Sequence, residues 1–197
     1  ASLSYAEIKM LATGNPHIKE KMDLDIQVAR LRLLKQNFMS EKYALQDRIV
    51  KYFPAEIKRF EERIAGYEED ISYLKEQDQG TPEEIFMMEI KGKSYTEKTD
   101  AGDMLLSCCK EMKNPESVVT GSFRGFEMSL SFDTFSKEYA AEVKHHMRYR
   151  TPLGTDARGN ISRIENLFSG IEKKKNEACD KYENILKQYE NAKVEVE

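Results

Sequence analysis

The sequence predicts an α+β fold: a long antiparallel coiled-coil helical stalk with a small inserted α+β head of antiparallel strands plus one helix. Three observations predict it. Apolar residues recur at alternating steps of three and four along Val50, Phe53, Ile57, Phe60, Ile64, Tyr67, Ile71 and Leu74, and again from Ile161 to Val196. Between those stretches the period changes to two, the alternation of half-buried strands. Charged residues make up 34% of the 197 and apolar ones 40%, against about 25% and 45–50% in an ordinary globular domain. Long helices that bury one stripe and wet the rest suit that excess of charge. The expected organisation is a short helix and a long stalk helix over 1–80, the head over 81–157, and a C-terminal stalk helix over 158–197 pairing back on 50–78.

In chain order, Ser4 is placed to cap a short helix over Tyr5–Leu11, which Gly14 and Asn15-Pro16 close. From His17 to Tyr52 the pattern is helical. One stripe runs through Ile18, Met22, Ile26 and Leu33, a second through Leu24, Val28, Leu31, Leu34 and Phe38. Two stripes predict a broad buried face that meets more than one neighbour. Pro54 lacks an amide hydrogen and biases Phe53 toward extended geometry. The apolar register nevertheless runs through it, which favours a kinked continuous helix over a hairpin. Asp78 to Gly80 ends the stretch.

Phe86, Met88 and Ile90 then alternate as a short strand, and Lys91-Gly92-Lys93 reads as a tight turn into Ser94-Tyr95. Thr96 or Thr99 caps a helix that carries Met104, Leu105, Cys108, Cys109 and Met112 and stops at Asn114-Pro115. One strand sets Phe126, Met128, Leu130 and Phe132 against Glu127, Ser129 and Ser131. The next runs unbroken from Tyr139 to Arg150, and Asp133–Ser136 links the two as a hairpin. Asn160 or Ser162 begins the last helix, whose repeat is broken only at Lys175.

The 31 basic and 35 acidic residues give a net charge of −4, which excludes an overall cationic nucleic-acid binder but leaves room for a local basic patch. No apolar run approaches the ~20 residues of a membrane span, and no charged-then-apolar leader is present. The three cysteines lack metal-type spacing, so reduced thiols in a cytoplasmic protein are expected. The Ala1-Ser2 start reads as the boundary of a segment of a longer protein, although Met removal before Ala gives the same start.

Chemistry-bearing motifs are sparse. There is no phosphate-cradling or dinucleotide glycine motif and no HExxH, and Gly121-Ser122-Phe123-Arg124-Gly125 lacks the spacing of a nucleophile elbow. His145 and His146 are neighbours on a strand and point to opposite faces, so one core and one surface histidine is expected rather than a metal site. Cys108 and Cys109 read as small buried hydrophobes. No catalytic residue and no metal ligand is assigned, and no cofactor for this segment. Lys144, His146, Arg148 and Arg150 recur at every second position and so form one cationic ridge, with Arg124, Lys91 and Lys93 on neighbouring strands or turns. Such a ridge is able to track a phosphate backbone. The competing explanation is the solvated face that antiparallel sheets normally carry, with edge charges that deter aggregation.

Several stretches resemble one family. They are Ser4–Lys9 with Ala12–Pro16, Ile18–Asp25, Leu33-Leu34-Lys35, Lys51-Tyr52-Phe53-Pro54 and Tyr95-Thr96-Glu97 with Ala101-Gly102. Arg124-Gly125-Phe126, Leu153–Asp156 and Gly159–Asn166 complete the set. Together they resemble the C-terminal region of large Swi/Snf-type helicase and adenine-specific DNA methyltransferase proteins of bacterial conjugative elements and phages. The resemblance implies a DNA-acting parent in the bacterial cytoplasm that uses ATP, Mg²⁺ and S-adenosylmethionine. No Walker motif, helicase acidic box or Asn-Pro-Pro-Tyr occurs here, so no catalytic residue carries over and the segment itself is not expected to be an enzyme. The expectation is a non-catalytic accessory module that assists DNA engagement through Lys144, His146, Arg148, Arg150 and Arg124. The alternative is a structural coiled-coil spacer or oligomerisation arm without nucleic-acid contact. The implied partners are DNA and the helicase core of the same polypeptide, with no membrane. The chain itself is expected to be a monomer or weak homodimer through the coiled coil.

Overall fold

A computed structural model describes residues 4–15, 17–79 and 86–196. The helix stop at Gly80, the helix closure at Pro16 and the reading of Ala1-Ser2 lie outside the described residues. The fold is α+β with a long helix, as the periodicities predict. The chain divides into two compact units, Ala1–Ala55 with Lys187–Glu197, and Glu56–Leu186.

In the first unit, helix α1 (Tyr5–Thr13) opens on a capping box. The Ser4 hydroxyl accepts from the Glu7 amide, and the Glu7 carboxylate accepts from the Ser4 amide at 2.8 Å. The helix runs to Thr13, two residues beyond the expected Leu11, and Gly14 closes it in the left-handed conformation at φ 67°. Helix α2 (His17–Asp47) passes through a π-helical segment, Arg48–Tyr52, into α3 (Phe53–Gln79) without a break. Phe53 is not extended; it stays helical at φ −63°, ψ −44°, and its amide reaches five residues back to the Arg48 carbonyl. A proline ring at position 54 clashes with a carbonyl four residues earlier, and the extra residue of the π turn moves that carbonyl aside. Phe53 is buried against the ring of Tyr189, centroids 5.5 Å apart.

The broad buried face expected of α2 is not present. No residue of α2 is buried. Leu24, Val28, Leu31, Leu34 and Phe38 are all exposed, from 44% at Val28 to 72% at Phe38. Of the first stripe Ile18 and Met22 are half-buried, while Ile26 and Leu33 are exposed like the second stripe.

The second unit is built on a six-stranded antiparallel sheet in the order β2-β1-β3-β4-β5-β6. The strands are β1 (Met88–Ile90), β2 (Lys93–Tyr95), β3 (Val118–Phe123), β4 (Phe126–Asp133), β5 (Glu138–Lys144) and β6 (Arg148–Leu153). Two-residue turns at Lys91-Gly92 and Arg124-Gly125 carry positive φ at both positions, the primed turn whose twist matches the strands. Strand β3 had no place in the sequence expectation, because Gly121 and Ser122 interrupt its alternation. The ladder shifts register there, between Val119 and Gly121.

Helix α4 (Lys98–Glu111) starts after Glu97, which makes no side-chain cap, so neither Thr96 nor Thr99 caps it; it also stops short of Asn114-Pro115. Helix α5 (Ala157–Ser169) is capped by Asp156, whose carboxylate accepts from the Gly159 amide, rather than by Asn160 or Ser162. Asn160 is instead buried, its amide exchanging hydrogen bonds with the backbone of Gly154 at 2.7 and 2.9 Å. Gly170 then separates α5 from α6 (Ile171–Val196), so the last helix is interrupted there.

The core lies between the sheet and these helices. Met88, Ile90, Phe126, Met128, Leu130, Val143 and Tyr149 face Leu105, Ile161, Ile164 and Ile171, all at or below 1% exposure. Each such side chain contributes about 1.5–3 kcal/mol of burial. Gly102 lets α4 meet α5, because a Cβ there would stand 2.3 Å from the Ala157 carbonyl oxygen. Within this unit α3 and α6 run antiparallel. The Glu61 end of α3 accepts from the Tyr182 hydroxyl at 2.8 Å, whereas Asp78 at its other end shares Arg124 with Phe168 of α5.

Candidate functional site

The expected strand from Tyr139 to Arg150 is a hairpin. Strand β5 ends at Lys144, residues 145–147 turn, and β6 begins at Arg148. Lys144 and Arg148 are therefore partners across the hairpin, and Arg150 sits opposite Glu142. The cationic ridge along a single strand does not exist, because the chain reverses in the middle of it. Period two continues through a turn of odd length, so the sequence pattern alone does not register the reversal.

The cations still share one face of the sheet, but not alone. Register places Ser94, Glu89, Ser122, Glu127, Lys144 and Arg148 in one row across the sheet. The next row brings Ser129, Glu142 and Arg150 together, and Asp133 pairs with Glu138 beyond it. Glu89, Glu127, Asp133, Glu138 and Glu142 thus outnumber Lys144, Arg148 and Arg150. Arg148 pairs with Glu142 at 3.4 Å and Arg150 with Asp133 at 3.9 Å. His146 leaves the row altogether, sits in the turn, and meets Glu69 of α3 at 2.9 Å. Arg124 is on the helical side, bonded to Asp78 at 2.5 Å with its guanidinium 5.2 Å from the Phe168 ring centre. Lys91 pairs with Glu111 at 2.6 Å. The five predicted contact residues are not one surface, and four of them already have an acidic partner. A phosphate would have to displace those carboxylates while facing others nearby.

Asp70, which the sequence did not single out, is the most highly bonded polar group of the unit. It is 0% exposed. Its Oδ1 accepts from the His146 amide at 2.8 Å and contacts His145 Nδ1 at 2.9 Å. Its Oδ2 accepts from the Met147 amide at 2.9 Å and the Tyr149 hydroxyl at 2.7 Å. One carboxylate of α3 thereby holds the whole β5–β6 turn. Burial, and then the adjacent Asp70 carboxylate, push the Tyr149 phenol far above its ordinary range. His145 is not the expected core histidine. Its side chain is 35% exposed and stacks on Tyr73, 3.9 Å between ring centres and 3° between planes. Nothing in the run Glu68-Glu69-Asp70 marks the last carboxylate as buried; all three read as helix exterior.

No nucleophile stands beside a base in this cluster, and Asp70 spends its acceptor capacity on the turn. That arrangement fixes a hairpin rather than poising a proton. Cys108 and Cys109 are buried as expected. Burial holds both thiols up, Cys109 at about 11, which keeps them protonated and poorly nucleophilic. Among the described residues no group of three or more His, Cys, Asp or Glu is placed to hold a metal ion. Among them also, no helix is long and apolar enough to cross a membrane. Comparison with protein-family models, with curated proteins and with solved structures returns no match.

Proposed function

We propose that this chain is a non-catalytic docking module of a larger helicase-like mobile-element protein, and that α2 is its binding element. The observation that carries the proposal is the uncovered apolar surface of α2, thirty-one residues without one buried side chain. An apolar stripe on a helix surface is normally covered by a neighbouring element, with the charged residues left on the other side. Single exposed leucines are ordinary, but Leu24, Val28, Leu31, Leu34 and Phe38 form a continuous seam. The parentage rests on the sequence resemblance. The reading as a spacer or oligomerisation arm gains over DNA engagement because the basic residues are dispersed and paired with carboxylates.

The test is amide hydrogen exchange on the full chain, across a concentration series and with added single- and double-stranded DNA. Slow exchange in α2 that grows with protein concentration, and no change on adding DNA, supports docking. Protection of residues 144–150 by DNA at low salt, with α2 exchanging fast at every concentration, would replace it with the DNA-engagement reading.

A further inference from the structure

The charges on α2 specify what covers it. Acidic Glu20, Asp23 and Asp25, with Lys21 among them, precede basic Arg30, Arg32 and Lys35, and these three acids and three bases are mirror images about the point between Gln27 and Val28. No other charged residue lies between Asp23 and Glu41. We infer that α2 pairs with α2 of a second copy of this chain, antiparallel, about a two-fold axis at that point. The inference rests on the docking reading above and names the partner.

The geometry follows from the helix repeat. An antiparallel copy about that axis puts residue i level with residue 55 − i of its partner, since every residue adds the same ~1.5 Å rise. Leu24 then lies level with Leu31 of the partner, and Val28 sits beside the axis. Glu20 comes level with Lys35. Asp23 and Asp25 come level with, or about 3 Å along the axis from, Arg32 and Arg30. These six charges each find an opposite charge and the two-fold axis repeats each contact, whereas Lys21 comes level with Leu34, next to Lys35, and opposes the pairing there. The pairing is isologous, as closed dimers require.

A parallel, in-register pair fails on the same residues. Val28, Lys35 and Lys42 are seven apart and share one position of the repeat, so each lysine would meet itself across the seam. Every acid would likewise stand beside its own copy. A membrane surface fits less well, because Arg30, Lys35 and Arg32 are spread around the helix and do not gather on one side opposite the apolar residues.

Within the chain α2 makes few competing bonds. Of the six charges, only Glu20 has an ion-pair partner among the described residues, His17 at 3.4 Å on an exposed surface. The three exposed cations and the three acids are therefore available to a second copy.

The experiment is sedimentation equilibrium on the full chain and three charge variants. Variant one is Glu20→Lys, Asp23→Lys, Asp25→Lys; variant two is Arg30→Glu, Arg32→Glu, Lys35→Glu; variant three combines all six. The wild type should reach twice its 22.9 kDa mass. Each triple variant should dimerise about 10- to 100-fold more weakly, because several opposite-charge contacts become like-charge ones. The sixfold variant should recover. Spin labels at His17 should be about 30 Å apart in the dimer, and labels at Gln27 about 10 Å, whereas a parallel pair gives about 10 Å at both. A dimer that ignores the charge variants, or short distances at both labels, overturns the antiparallel register. A monomer throughout overturns self-pairing, and the concentration-independent exchange of α2 would then decide separately whether the docking reading falls with it.

Discussion

Replacing Asp70 by Asn is the sharpest test of the second unit. The two side chains have nearly the same shape, so packing is unchanged and only hydrogen bonding differs. Each carboxylate oxygen accepts one backbone N–H and one side-chain group: Oδ1 the His146 amide with His145, Oδ2 the Met147 amide with Tyr149. An amide turns one of those oxygens into a donor. The Tyr149 hydroxyl or the His145 ring is able to reverse its role, but a backbone N–H is not. Either orientation therefore leaves one turn amide facing another donor, at about 1–3 kcal/mol, and the surviving bonds lose their charge. The expected loss is about 3 kcal/mol, or about 6–12 °C in Tm for a chain of this length. Urea denaturation followed by circular dichroism measures it, with Tyr149→Phe and the double variant completing a cycle. A loss below about 1 kcal/mol would mean that Asp70 is hydrated and does not hold the turn.

Three further outcomes follow from other features. The Ser4 amide, and then the Lys19 ammonium, hold the Glu7 carboxyl down at about 2. Because the folded value lies below the unfolded one, its contribution is complete above about pH 4.5 and is lost as pH falls toward 2; a carboxyl NMR titration with a midpoint near 4.5 would refute the capping box. Tyr149 is raised instead, so its contribution is complete below about pH 10 and is lost as pH rises beyond that; in an ultraviolet titration at least one of the ten tyrosines should ionise only when the chain unfolds. Gly102→Ala should cost about 2 kcal/mol or more, because the new methyl meets the Ala157 backbone oxygen rather than a movable side chain; an unchanged urea midpoint would deny the close crossing of α4 and α5.

The fold class, the Ser4 cap and the Gly14 closure of α1 were legible, but the Asp156 cap of α5 and the break at Gly170 were not, although their causes also lie within a few residues. The Ser4–Glu7 box, Gly14 and the Lys91-Gly92 turn satisfy backbone groups within a few residues, so the sequence contains the whole cause. The β5–β6 turn was not legible, since what fixes it is a carboxylate 75 residues away in α3. Strand β3 was hidden by Gly121, which is there because Glu89 of the neighbouring strand comes too close for any side chain. The single ridge expected of the basic residues depended on one unbroken strand, and the chain reverses between Lys144 and Arg148. With α2 the apolar stripes were visible and their exposure was not, because a stripe records that cover is needed without recording where it comes from.

The order of the units along the chain bears on synthesis. The first unit takes its residues from both ends of the sequence, Ala1–Ala55 and Lys187–Glu197, and the second is nested between them. During translation at about 5–20 residues per second, Phe53 leaves the ribosome many seconds before Tyr189, the ring that covers it, has been made. The nested unit has all its own strands and helices sooner and is free to fold first. For that interval Phe53 waits without the ring that covers it, while neighbouring ribosomes on the same message display the same segment. The chain's layout makes its first unit the last to close.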